Sequence, residues 1–371
     1  MDKHLHIVCF DVPYPADYGG AVELFHTLKH LSSIQVKIHL HCFDYGRGHH
    51  KELDQYCVEV NYYTRKNFFS SFLSGLPYIV SSRNNPHLLK NLLKDNHPIL
   101  LEGIHCTYFL YKEKLVNRKV MIRLHNVEYK YYSNLADSES SFLKKIYFQW
   151  ESRLLKRYEK LLSKKALFFA MTKNDQKTYT SMGATKIKYL PPFLPCDKVK
   201  AVPGKGTFCL YHGDLSIGEN KKAVLYLLKI FKAIQIPFVI AGKSPCNELK
   251  TLAEENEHVC VISDPGEEEL NDLLLKAQIH VLPSFNTTGR KIKLLNALFN
   301  GRHCIVNEST VSDSGLESLC HICDTDEMFQ QKIIELFSKE FTETDIMERR
   351  NILENNYNSR SNAIELTQAI W

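Results

Sequence analysis

The chain has 371 residues, too long for one ordinary domain and about right for two at roughly 100–200 residues each. Hydrophobic residues make up 44% and charged residues 24%, which excludes a disordered chain, and a formal net charge of only +5 argues against a dedicated nucleic-acid binder. Residues 1–200 hold 30 Lys and Arg against 18 Asp and Glu, whereas residues 201–371 hold 17 against 24, so two domains with different partners are expected.

The chain opens on MDKHLHIVCFDVPYP, which lacks the long apolar stretch and small-residue cleavage site of a signal peptide and reads as a first strand. No run reaches the ~18 apolar residues of a membrane span. The eleven cysteines follow no disulfide framework and suit a reduced, cytoplasmic compartment. Cys9, Cys209, Cys260 and Cys304 lie in apolar runs, where Cys acts as a small hydrophobe. Cys320 and Cys323 form a lone C-x-x-C with no second pair nearby, so zinc is not expected there.

In chain order, apolar β-rich runs fall at 5–10, 36–43, 58–63, 98–103, 120–125, 166–172 and 187–193. Helical periodicity lies between them, as at 20–31, 86–94, 142–163 and 174–181. Short buried strands alternating with helices predict a parallel sheet covered on both faces. Residues 194–206 read as a Pro/Gly-containing linker. The pattern then restarts with strands at 207–213, 237–242, 258–264, 279–284 and 303–307. The expected fold is therefore α/β, with two doubly wound, Rossmann-like domains (1–193 and 207–356) facing across a cleft. A final helix in 357–371 carries Ile364, Leu366 and Ile370 and has the pattern to pack on either domain. Such sheets bind ligands at the carboxyl ends of their strands, so the ligand site is expected between the domains.

Four strand-to-helix junctions are candidates for chemistry. Gly19 and Gly20 open a helix after the first strand and suit an anion at its amino end, or make a plain turn. His125, Asn126 and Glu128 emerge from the strand at 120–125, as working groups or as a polar turn. Gly213 ends the first strand of the second half, before a helix, and suits a phosphate or a simple connection. The segment 282–307 puts Arg290, Lys291 and Lys293 in the first turn of a helix closed by Gly301. Cations there oppose the helix dipole unless an anion joins them, which favours a diphosphate site.

Two stretches look basic and amphipathic. Residues 142–165 hold eight Lys and Arg against two Glu. A stripe of Leu143, Ile146, Trp150, Leu154, Tyr158, Leu161 and Leu162 is expected to pack on the domain, the sharper alternative being a surface for anionic lipid. Residues 65–80 set Arg65 and Lys66 beside Phe68, Phe69 and Phe72.

Taken together, the early P-x-x-x-x-G-G turn, the HNVE sequence at 125–128 with its long basic helix ending in RYEKL, the strand–glycine start of the second half with Asn220, and GRKIKLLNALFNG at 289–301 resemble glycosyltransferase family 4, bacterial group 1 type, over nearly the whole chain. The resemblance implies the GT-B fold and a retaining transfer of a sugar from a nucleotide-sugar donor to a hydroxyl of a bacterial glycan or glycolipid. It implies no metal and no cofactor, the nucleotide sugar being a substrate. It places Gly19, Gly20, Gly213, Gly289, Arg290, Lys291 and Lys293 at the donor diphosphate. It also places Asn296 at the nucleotide ribose, Thr288 and His125 at the reacting sugar, and Asn126 and Glu128 near the sugar or acceptor. The family's two glutamates, with seven residues between them, are replaced here by Thr288 and Asn296, and Asp214 stands where many relatives carry a phosphate-binding Arg. Those departures keep two alternatives open, a catalytically silent partner protein and a sugar-nucleotide 2-epimerase. The expected partners are the donor, a glycan or lipid-linked acceptor and the anionic inner face of the cell membrane, with no nucleic acid.

Overall fold

The structure is a computed structural model that describes residues 2–67, 74–139, 141–285, 292–312 and 314–371. Thr288, Gly289, Arg290, Lys291, Phe68, Phe69 and Phe72 lie outside the described residues.

The first sheet contains β1 (His4–Cys9), β2 (Lys37–Asp44), β3 (Glu59–Thr64), β4 (Ile99–Glu102), β5 (Val120–Leu124), β6 (Leu167–Ala170) and β7 (Ile187–Tyr189). All pair in parallel in the order β3-β2-β1-β4-β5-β6-β7. The second contains β8 (Cys209–Asp214), β9 (Phe238–Lys243), β10 (Val259–Ser263), β11 (Ile279–Val281), β12 (His303–Val306) and β13 (His321–Ile322), in the order β10-β9-β8-β11-β12-β13. Both orders reverse direction beside their first strand, the doubly wound arrangement whose crevice binds ligands.

The helices that matter for the site, single-turn helices aside, are α1 (Gly19–Ser33), α2 (Pro86–Leu92), α3 (Glu128–Ser138), α4 (Phe142–Leu162), α5 (Lys173–Ser181) and α6 (Gly218–Phe231). They continue with α7 (Asn247–Glu254), α8 (Glu267–Lys276), α9 (Ile292–Asn300), α10 (Asp326–Ser338), α11 (Glu343–Asn356) and α12 (Ser359–Ile370). Each sheet is covered on both faces. In the first domain one apolar layer is built on Val8, Leu101, Ile122 and Phe168, and the other on Ile7, Leu40, Leu100 and Phe169.

Residues 190–206 are not a solvated tether. Phe193 and Leu194 are buried, the Lys200 N–H donates to the Phe299 carbonyl at 2.7 Å, and the Val199 N–H donates to Glu354 at 3.0 Å. The chain crosses back beside itself, since the Leu194 N–H donates to the Ser359 hydroxyl at 2.9 Å and the Ser359 N–H to Asp197 at 3.2 Å. The last helix settles its alternative here: Ala363, Leu366 and Ile370 complete the first domain's apolar layer with Leu24, Leu28 and Leu31 of α1, while Ile364 stays exposed.

Three expectations need correction. The buried stripe of α4 is Glu151, Leu155, Tyr158, Glu159 and Leu162. Leu143 at 77%, Ile146, Trp150 at 49% and Leu161 are exposed, because the stripe is offset by one position from the apolar spacing. Two glutamates hold buried positions because they accept backbone N–H groups. Glu151 takes the Tyr78 N–H at 2.9 Å, and Glu159 takes those of Glu128 and Tyr129, each at 3.0 Å. Cys260 is exposed on the edge strand β10, unlike Cys9, Cys209 and Cys304, which are buried. The seventh strand ends at Tyr189 instead of running to residue 193, since two successive prolines, Pro191 and Pro192, have no N–H to give a ladder.

Candidate active site

The carboxyl ends of β1, β4 and β5 bring together a polar cluster. Parallel pairing sets Glu102, the last residue of β4, opposite Arg123 of β5, and His125 follows just beyond. His125 Nε2 lies 2.8 Å from Glu102 Oε2 and 3.9 Å from Glu23 Oε2, Glu23 coming from α1. The Arg123 guanidinium binds Glu23 Oε1 at 2.8 and 3.1 Å and spends its remaining donors on the carbonyls of Leu190 and Pro191. Arg123, Glu23 and Glu102 are all buried. Burial pushes the Glu102 carboxyl above its usual range against the pull of His125. Phe10 meets the His125 ring edge-on at 5.0 Å and lies 4.9 Å from the His105 ring.

Glu23 Oε2 and Glu102 Oε1 have no hydrogen-bond partner among the described residues. One atom from each of Glu23, Glu102 and His125 falls within 4.8 Å of the others. Three such atoms fit a cation or the hydroxyls of a polar ligand. Arg123 already pairs with Glu23 and His125 with Glu102, so both carboxylates have a cationic or donor partner, which favours hydroxyls.

Behind this cluster, Glu128 is buried beside Glu159, whose carboxylate caps the amino end of α3 and accepts the Tyr179 hydroxyl at 2.7 Å. Burial, then the neighbouring Glu159 charge, pushes Glu128 up to about 8; burial likewise raises Glu159 to about 7. Asn126 reaches Glu128 only at 3.5 Å.

The loop before α1 forms the rim. Asp11 accepts the Val12 N–H at 2.8 Å and the Tyr18 hydroxyl at 2.7 Å. Arg47 holds the loop through the Val12 carbonyl at 2.9 Å and Asp17 at 2.7 Å. Helix α1 then begins at Gly19 without a side-chain cap and with no acidic residue in its first turn, leaving its amide ends for a ligand.

The second domain faces this rim. A side chain on Gly19 would touch Ile292, the first residue of α9, at 3.6 Å, so the two helix starts adjoin. Lys243, ending β9, pairs with Asp17 at 2.5 Å across the domains. Gly213 is the penultimate residue of β8, and a Cβ on its partner Gly242 would fall 2.0 Å from the Gly213 carbonyl oxygen; only glycine permits that approach. Lys293 reaches back from α9 to Asn220 Oδ1 at 2.5 Å and the Tyr211 hydroxyl at 3.0 Å. A Cβ on Gly213 would lie 3.7 Å from its ammonium. Asp214 turns to Ser216, accepting its N–H at 3.0 Å and hydroxyl at 2.6 Å, so its charge is engaged locally. Asn296 sits one turn after Lys293, and its side-chain oxygen accepts Asn300 Nδ2 at 3.2 Å.

The structure thus joins Gly19, Gly20, Gly213, Lys293, His125 and their neighbours along one seam and sets Glu128 behind it. Sequence reasoning missed Glu23, Glu102 and Arg123. The available signal was a charge inside each of three apolar segments, which in a core implies a partner.

Two parallel-sheet α/β domains joined along their strand ends define the GT-B class of glycosyltransferase fold. Anabaena HepE, solved in complex with UDP and glucose, superposes with a TM-score of 0.66 at 12% identity over 100% of this chain and 99% of that one. A glycosyltransferase from Rickettsia africae does so with 0.66 at 13% identity, over 100% and 98%. Residues 207–339 match the family described as "Glycosyl transferases group 1". A Klebsiella pneumoniae relative, "Uncharacterized 44.6 kDa protein in cps region", is 27% identical over 315 residues, covering 79% of this chain and 80% of its own length.

Proposed function

We propose that this chain transfers a sugar, with retention of configuration, from a nucleotide-sugar donor to an acceptor hydroxyl of a bacterial glycan or glycolipid. The observation that carries the reading is Lys293, an ammonium held beside Gly213 in the second domain, next to the uncapped start of α1. Breaking the sugar–phosphate bond leaves a nucleoside diphosphate, whose charge must be met by groups already in place. Lys293 supplies the cation that Asp214 cannot, and the amides at Gly19 and Gly20 supply donors. Arg290, Lys291 and Gly289 would add to this set, with Asn296 at the ribose and Thr288 near the sugar.

In a retaining transfer the departing phosphate oxygen takes the acceptor proton on the sugar's own face. His125 then acts as a hydrogen-bonding group. Its Nε2 is engaged by Glu102, leaving Nδ1 for a sugar hydroxyl. The unpartnered oxygens of Glu23 and Glu102 suit further hydroxyls. The name of the Klebsiella relative, from a cps region, agrees with a surface-glycan acceptor. A lipid-linked acceptor agrees with the exposed Phe142, Leu143, Ile146 and Trp150 interleaved with Lys144 and Lys145, a face suited to an anionic membrane.

Incubating the purified chain with a panel of nucleotide sugars tests the reading. Donor-dependent release of nucleoside diphosphate, and a product with the donor's anomeric configuration by NMR, are expected. No binding of any donor below millimolar concentration would leave the silent-partner alternative, and ring-epimerised donor without acceptor would leave the epimerase.

A further inference from the structure

At the opposite end of the first sheet from the seam, histidines occupy alternate positions of two adjacent strands: His4 and His6 on β1, His39 and His41 on β2. Alternation puts all four on one face, and the register sets His6 beside His39. His97, from the turn between α2 and β4, stacks on His4 with centroids 4.6 Å apart and planes within 15°. It lies 5.7 Å from His39, within 20° of parallel.

His4, His39 and His97 each bring one ring nitrogen within 4.8 Å of the other two. His4 Nδ1 faces His39 Nε2 at 2.9 Å. His39 Nδ1 faces Glu59 Oε1 at 2.9 Å, and a carboxylate there accepts a hydrogen bond from Nδ1–H, which keeps the proton on Nδ1 and leaves the Nε2 lone pair pointing inward. A carboxylate behind an imidazole is the support that orients metal-ligating histidines. Zinc–nitrogen bonds of about 2.0–2.1 Å in a tetrahedron separate ligand nitrogens by about 3.3 Å, so the pair needs to open by only a few tenths of an ångström.

The layer beneath is ordered. His6 bonds to Asp95 at 3.0 Å and to His41 at 2.9 Å, and His41 to the Tyr63 hydroxyl at 2.8 Å. Asp95 also fixes the His97 turn by accepting its N–H at 2.9 Å. His6 and His41 are buried, whereas His4, His39 and His97 are partly exposed, which gives an ion a way in.

We propose that His4, His39 and His97 form a binding site for a divalent transition-metal ion of the zinc type, with the fourth tetrahedral position left to water. Binding shifts the His4 ring proton from Nδ1 to Nε2, so all three ligands enter as neutral imidazoles. The ion ties β1, β2 and the α2–β4 turn together and stands apart from the sugar-transfer reading.

The test uses the full chain, stripped with a chelator and titrated with Zn²⁺ by calorimetry, with Co²⁺ as a spectroscopic substitute. A single tight equivalent is expected. Bound Co²⁺ should show ligand-field bands without a thiolate charge-transfer band, which separates imidazole ligation from binding by the eleven cysteines. His97→Gln, in an exposed turn, and His39→Gln should each abolish that equivalent, and Glu59→Gln should weaken it by about 10–100-fold. Zn²⁺ should raise the melting temperature of the parent chain and not of His97→Gln. Absence of a stoichiometric equivalent, a thiolate band, or binding unchanged in His97→Gln would overturn the proposal, whether or not sugar transfer is found.

Discussion

The basic half of the chain presents carboxylates at the seam, and the acidic half presents a cation. The first domain's wall holds Asp11, Glu23 and Glu102, with Arg123 turned inward to neutralise Glu23. The second domain's wall sets Lys293 beside Gly213. Net charge counts mostly solvated side chains, screened within about 10 Å at ordinary ionic strength. The seam is governed by a few groups at strand ends, held by hydrogen bonds in partly buried surroundings. A site of either sign is thus compatible with a domain of the other.

This contrast is open to four perturbations, in falling order of effect. Arg123→Leu strands Glu23 in the core and should cost about 3–5 kcal/mol in urea unfolding. A loss below about 1 kcal/mol would mean that the acidic wall does not depend on that pair. Lys293→Ala should lower kcat/KM for the donor by roughly 10²–10³-fold, the effect of removing one pre-set donor to a developing anion. Undiminished turnover would put the cationic wall elsewhere.

The third perturbation concerns pH. Glu128 and Glu159 sit at about 8 and about 7 in the folded chain, above the 4.5 of a free glutamate. The folded state therefore binds more protons, so stability is full below about 4.5 and declines as pH rises toward 8. Glu128→Gln should flatten that decline in melting temperature; an unchanged slope would assign it to other groups. The smallest effect belongs to the half-exposed Lys243–Asp17 pair. Lys243→Ala should shift stability by no more than about 1 kcal/mol, with the difference vanishing in high salt. A larger, salt-independent change would make this contact the principal tie between the walls.

Most strands were legible because parallel sheets buried on both faces write themselves as short apolar runs. β13 was not, being only the two residues inside the C-x-x-C of Cys320 and Cys323. Gly19, Gly213 and Lys293 could be read from strand–turn–helix punctuation. Glu23 and Glu102 could not, because their meaning depends on partners about 100 and 23 positions away. The α4 stripe misled for a related reason. Spacing counts apolar residues, whereas Glu151 and Glu159 are drawn inward by backbone N–H groups of other segments.

Helix α12 carries a consequence for how the chain is made. Leu194 and its partner Ser359 are 165 residues apart, and Ala363, Leu366 and Ile370 fill a layer otherwise built from residues before 194. During synthesis the first domain emerges with that face uncovered and stays so while the whole second domain is translated. At about 5–20 residues per second this interval lasts on the order of ten seconds or more. The first domain's apolar layer is therefore complete only once the whole second domain has been made.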